Sequence, residues 1–115
     1  MLLARETGAI EEVVRLFAVF HDSRRENEDW DAEHGARGAA YAASLRGVLF
    51  ELSDPHFELL HYACTWHAHG HLSDDPTIGT CWDADRLDLG RVGVQPDPKY
   101  MSTECGRKLC KLNIQ

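Results

Sequence analysis

The sequence is short of the features that most often announce a function. It has no Gly-x-Gly-x-x-Gly run and no Gly-Lys-Ser/Thr phosphate loop, so nucleotide-driven motors and switches have no support. No serine sits in a Gly-x-Ser-x-Gly elbow, and a Ser-His-Asp hydrolase is equally unsupported. Its four cysteines, Cys64, Cys81, Cys105 and Cys110, form no Cys-x-x-Cys unit. Three of them fall in helical patterns, which reads as buried free thiols rather than a disulfide or zinc framework. No apolar run approaches the roughly 20 residues of a membrane span. The start Met1-Leu2-Leu3-Ala4-Arg5-Glu6 lacks the long apolar core of a signal peptide, so a cytoplasmic protein with no membrane partner is expected. Positive charge is also scarce. Twelve basic against nineteen acidic side chains leave a net charge of -7, which speaks against an extended nucleic-acid surface and confines any phosphate site to a local pocket.

What remains is a chain of 115 residues with 43% hydrophobic content, enough for one compact domain over residues 1–115. Such a domain buries roughly two thirds of the surface its unfolded chain exposes. No sustained alternation of apolar and polar residues argues for a sheet, and the expected fold is all-α, a bundle of about five helices. Ile10, Val13, Val14 and Phe17 recur at helical spacing, with Glu11, Glu12 and Arg15 opposite, predicting a helix over about residues 9 to 21 whose inward stripe ends at His21. Residues 23 to 33 are too polar to continue it and read as an exposed loop that Trp30 could anchor. From His34 to about Gly47 the chain is rich in alanine and carries Gly35 and Gly38, which suits a helix packed close to its neighbours.

Asp54-Pro55 predicts an N-cap with proline at the first helical position, opening a helix to about Gly70 on which Phe57, Leu60, Cys64 and His67 share one stripe. Asp75-Pro76 repeats the signal. Ile78, Cys81, Trp82, Asp85 and Leu89 then recur at three- and four-residue steps, which turns Asp85 inward and Asp83 toward a flank. Residues 90 to 101, with Gly93, Pro96 and Pro98, read as a loop, and Ser102 is the expected cap of a final helix to about Leu112.

A carboxylate on an apolar stripe is costly to bury unpaired, so Asp85 calls for a cation, an arginine such as Arg86, Arg15 or Arg37, or a set of hydrogen-bond donors. His21 alone is compatible with a core or capping role. The coincidence is what points to a metal: His21 inward with Asp22 beside it, His67 inward on another helix, and Asp85 inward on a third. Mixed imidazole and carboxylate ligands suit manganese, iron, nickel, zinc or, less well, magnesium. A separate histidine-rich metal site at His61, His67, His69 and His71 is a further reading, although His69 should point away from His67 on a helix.

Phe20-His21-Asp22, followed about sixty residues later by Asp83-Ala84-Asp85-Arg86-Leu87-Asp88, resembles the HD superfamily of metal-dependent phosphohydrolases, helical domains named for an adjacent histidine and aspartate. The resemblance spans nearly the whole chain. It implies an HD-domain-like bundle in which His21, Asp22 and Asp85 bind a divalent metal ion. It further implies that the ion polarises a phosphoryl oxygen and activates water, with Asp22 assisting proton transfer. Asp22, His67 and Arg86 are then the catalytic candidates, Arg24, Arg25 and His34 the candidates for holding phosphate, with His67 ranked above His34, and Asp83 and Asp88 the outer acids that orient His21 or hold Arg86. A nucleotide or other small phosphate ester is the implied substrate. One departure stands out: the family pattern includes an earlier metal-binding histidine, and no histidine precedes His21. The resemblance thus implies a shortened chain, a site completed by water, or a ligand from another chain, with homo-oligomerisation covering exposed core. The alternative expectation is a catalytically degenerate HD-like domain acting as a binding or regulatory module.

Overall fold

The computed structural model describes residues 7–23, 33–69, 71–88 and 97–112. Arg24, Arg25, Trp30, Leu89 and the side chain of Asp88 lie outside the described residues. Within them the chain forms five α-helices: α1 (Glu11–Phe20), α2 (His34–Leu45), α3 (Asp54–Trp66), α4 (Pro76–Asp88) and α5 (Glu104–Leu112). Single 3-10 turns follow α3 at His67–His69 and precede α5 at Pro98–Tyr100, the second within the stretch expected to be an irregular loop. There is no strand among the described residues, only an isolated bridge between Arg46 and Phe50. The all-α fold expected from the absence of alternation is the fold observed.

The core grows from the helical stripes. Val13, Val14, Phe17 and Phe20 of α1 are buried, as are Leu60, Ala63 and Cys64 of α3 and Ile78, Cys81 and Trp82 of α4. Each large apolar side chain so buried contributes about 1.5–3 kcal/mol. Helix α3 is central and touches α1, α2 and α4, while α5 packs on α4. The alanine-rich helix α2 approaches closely, as its composition predicts. A Cβ on Gly35 would overlap the carbonyl oxygen of Cys64, and one on Gly38 would overlap that of Phe20. Those two glycines let the first turns of α2 slot between the ends of α1 and α3.

Three local expectations are corrected. Ser53, not Asp54, caps α3, accepting from the His56 amide at 3.4 Å, which places Pro55 in the second helical position. Thr103, not Ser102, caps α5: its hydroxyl accepts from the Gly106 amide at 2.9 Å. Asp83, expected on a flank, is fully buried. Its carboxylate accepts from the Ser102 amide (2.6 Å), the Thr103 amide (2.7 Å) and the Thr103 hydroxyl (2.6 Å), so it ties α4 to the positive end of α5. The orientation of Asp83 follows from this long-range bond. Asp75 does open α4 as expected, accepting from the Thr77 and Ile78 amides at 2.8 and 3.0 Å.

Cys64, Cys81 and Cys110 are buried and Cys105 half-buried, all four as free thiols. Burial pushes the Cys64 thiol up to about 12 and raises that of Cys81 as well, which leaves them unreactive packing groups.

Candidate metal centre

Four chain segments end at one place. His21 is the C-cap of α1, Asp22 follows it, His34 opens α2, His67 ends α3, and Asp85 begins the last turn of α4. The local sequence explains each placement. The Ser23 amide and hydroxyl both donate to the Phe20 carbonyl, at 3.1 and 2.8 Å, curling the chain so that Asp22 turns back toward the bundle. Gly35 and Gly38 bring His34 against the ends of α1 and α3. The Trp82 indole N–H donates to the Ala63 carbonyl at 2.9 Å, and with Asp83 it fixes the rotation of α4 that turns Asp85 to α1.

The distances are short. Nε2 of His21 lies 3.1 Å from Oδ1 of Asp85 and 3.4 Å from Oδ2 of Asp22. Nε2 of His34 lies 3.0 Å from Oδ1 of Asp22 and 2.9 Å from Nε2 of His67, which in turn is 3.4 Å from Oδ1 of Asp22. His21, His67 and Asp85 form one triad of the kind that could hold a metal ion, and Asp22, His34 and His67 form a second. His67 belongs to both.

The imidazole tautomers follow from the helix ends. Nδ1 of His21 is 2.9 Å from the Phe17 carbonyl, and Nδ1 of His67 is 2.7 Å from the Cys64 carbonyl. A carbonyl has no proton to give, so each Nδ1 carries the hydrogen. In the neutral ring Nε2 then presents a bare lone pair to the cluster. Metal-binding histidines are held in this way, with the second nitrogen donating to a backbone carbonyl or a carboxylate.

The His21 lone pair faces the Asp85 carboxylate at 3.1 Å, a contact favourable only with a proton or a metal ion in it, while the His67 lone pair faces both the Asp22 carboxylate at 3.4 Å and Nε2 of His34 at 2.9 Å. Donors on a common ion with bonds of about 2.1 Å stand roughly 3.0 Å apart at right angles and roughly 3.4 Å apart at tetrahedral angles. The observed spacings span that range, and the donor set of imidazoles and carboxylates fits a divalent transition metal.

The electrostatics of the metal-free cluster agree. Burial disfavours a charged His21, but the hydrogen bond and charge of Asp85, the charge of Asp22 and the Phe17 carbonyl outweigh it and raise its pKa. Asp22 is held far below the ordinary carboxylate range, first by its hydrogen bond with His67 and then by the charges of His21, His67 and His34, against opposing burial. His34 and His67 are buried, whereas the Asp22 side chain is 48% exposed, so the cluster opens to solvent on the aspartate side.

The structure brings together His21, Asp22, His34, His67 and Asp85. His34, ranked below His67 from the sequence, is as close to the cluster as His67. Arg86 is engaged elsewhere: Nη1 donates to the Tyr100 carbonyl at 2.7 Å and the guanidinium lies 5.6 Å over the Trp82 ring. His69 is exposed while His67 is buried, as helical geometry predicts. His69 and His71 gather around Trp66 rather than joining His67, with ring centroids 5.2 and 6.1 Å from the indole. Among the described residues, no helix is long and apolar enough to cross a membrane. Comparison of the chain with family models, curated proteins and solved structures gives no match.

Proposed function

We propose that this chain is a metal-dependent phosphohydrolase of the HD type, acting on a nucleotide or other small phosphate ester. One observation carries the reading: the bare Nε2 atoms of His21 and His67 face the carboxylates of Asp85 and Asp22 across 3.1 and 3.4 Å. The order of the donors along the chain supports it, with His21-Asp22 at a helix end and Asp85 in an Asp-Arg-Leu element near the end of α4.

His21, His67 and Asp85 would hold one ion, and Asp22, His34 and His67 offer a second set of donors in which His34 offsets the lack of any histidine among residues 1–20. A divalent ion supplies Lewis-acid polarisation of a phosphoryl oxygen and a lowered pKa for water. Asp22 is the residue to assist proton transfer, because its carboxylate is half exposed and lies beside His21, His34 and His67. The buried imidazoles of His34 and His67 form the inner wall and keep bulk water from that side. Arg24 and Arg25, just past the His21-Asp22 pair in the chain, are the groups to neutralise phosphate, whereas Arg86 would have to release the Tyr100 carbonyl to do so.

The test is phosphate release from nucleoside mono-, di- and triphosphates and simple phosphate monoesters with manganese, iron, nickel, zinc or magnesium supplied. The reading requires turnover that a chelator stops and that Asp22→Ala, Asp85→Ala and His67→Ala abolish while keeping their helical circular dichroism. Turnover indifferent to these changes would sink it.

A second reading, a catalytically silent HD-like domain used for binding or regulation, is favoured by one feature. The cluster has a self-consistent metal-free arrangement in which His34 meets Asp22 at 3.0 Å and a proton on His21 satisfies Asp85. On that reading the same variants change stability alone.

A further inference from the structure

Phe17 is buried in the core, yet it touches two imidazoles of the cluster and holds one of them twice. Its ring lies parallel to that of His21, with centroids 4.6 Å apart and an interplanar angle of 11°. It meets the His67 ring edge-on at 5.9 Å and 86°. Its carbonyl oxygen accepts from both the amide and Nδ1 of His21, each at 2.9 Å. The sequence dictates the arrangement, because a residue four positions before another on a helix lies on the same face one turn below it.

The hydrogen bond alone is not enough to aim an imidazole. The last torsion of a histidine side chain is broad, so a ring held by one nitrogen still rocks about that bond. A flat aromatic face at stacking distance removes the rocking motion for His21. For His67, whose Nδ1 is held by the Cys64 carbonyl, the Phe17 ring closes one side and His21 itself stands crossed at 85° with centroids 5.0 Å apart. The directions of both Nε2 lone pairs thus depend on one buried phenyl ring.

We propose that Phe17 is the positioning residue of the candidate metal centre, setting the ring planes of His21 and His67 toward Asp85 and Asp22. The proposal rests on the metal-binding reading of the cluster. Phe20 is a matched comparison: it lies on the same helix and is equally buried, but its ring packs on Tyr41 and Phe50 at 5.8 and 5.7 Å. Losing either ring removes core packing. Losing Phe17 alone removes the wall behind the histidines.

The experiment compares Phe17→Leu with Phe20→Leu by manganese titration and by nitrogen-15 spectra of the histidine rings in the metal-free proteins at alkaline pH. Phe17→Leu is expected to weaken manganese binding about tenfold or more, the loss typical of an outer contact to a metal ligand, while Phe20→Leu stays close to wild type. In the spectra His21 should change from a single Nδ1-protonated tautomer to a mixture in Phe17→Leu only. Should Phe17→Leu not fold, Phe17→Met, whose unbranched side chain adapts to an irregular gap in the core, is measured in its place. Equal losses of affinity in the two variants, or wild-type affinity without Phe17, overturn the proposal. If the wild-type protein takes up no manganese, the metal-binding reading fails and the spectra alone decide. A single His21 tautomer in both variants then overturns the role of Phe17.

Discussion

Nε2 of His21 stands 3.1 Å from Oδ1 of Asp85, while Nδ1 of the same ring is committed to the Phe17 carbonyl. A neutral His21 would therefore set a lone pair against a carboxylate, and the contact is favourable only with a cation in it. The metal-free protein has a proton for that purpose, which is why the pKa of His21 is raised.

The pH dependence follows in sign. A pKa raised in the folded state gives stability that is complete below the unfolded value, near 6.5, and lost as pH rises through the folded value. Metal-free protein should lose this contribution on going from slightly acidic to alkaline pH. A metal ion competes with that proton, so the stabilisation gained by adding manganese should grow over the same interval. Thermal melts across the interval, with and without manganese, check both trends. A manganese effect that shrinks as pH rises would contradict this account of the contact.

The two histidine groups should separate cleanly. His34→Ala is expected to weaken metal binding about tenfold or more, since its Nε2 is 3.0 Å from Asp22 and 2.9 Å from His67. His69→Ala and His71→Ala, placed around Trp66, should leave it unchanged. Manganese or zinc titration of the three variants is the measurement, and metal loss confined to the His69 and His71 variants would relocate the site.

Asp83 predicts a loss of stability. Asp83→Ala strands the Ser102 and Thr103 amides at the start of α5 and should cost about 3 kcal/mol, lowering Tm by roughly 10 °C. Gly106→Ala should also destabilise, because a Cβ there would overlap the Asp83 carboxylate. Denaturant melts of the two variants check the pair, and wild-type stability in Asp83→Ala would show that the tie to α5 contributes little.

These residues also mark what the sequence could and could not reveal. Helix positions were legible, because Val13, Val14, Phe17 and Phe20, and later Ile78, Cys81 and Trp82, keep helical spacing and are buried. The convergence of His21, His67 and Asp85 was legible for the same reason, since each ends or continues a stripe that faces one core, and Asp22 follows from its place beside His21. Asp83 was misplaced because its burial comes from Ser102 and Thr103, about twenty residues away, and no local periodicity records that partner. The approach of His34 to Asp22 and His67 is less legible because His34 opens its helix, where a stripe has not yet declared itself. Its clearance comes from Gly35 and Gly38, whose small size says only that something comes close.

Gly38 offers a way to disturb the site without touching a donor. A Cβ at this position would overlap the Phe20 carbonyl and press on that of His21, moving the end of α1 from α2. Gly38→Ala should cost about 1–3 kcal/mol by overpacking. It should weaken metal binding beyond what Ala39→Gly, a core change on the same helix that adds no atom, produces. Parallel melts and manganese titrations of the two variants decide whether the His34 approach is set there.

Whether His21, Asp22, His67 and Asp85 bind a divalent metal ion is decided by elemental analysis of the purified protein beside Asp22→Ala and Asp85→Ala. Near-stoichiometric transition metal is expected in the wild type, retained or taken up when manganese, nickel or iron is supplied, with its loss from both variants while circular dichroism shows them folded. A wild-type protein that stays empty after each of these metals is supplied would overturn the metal-binding reading.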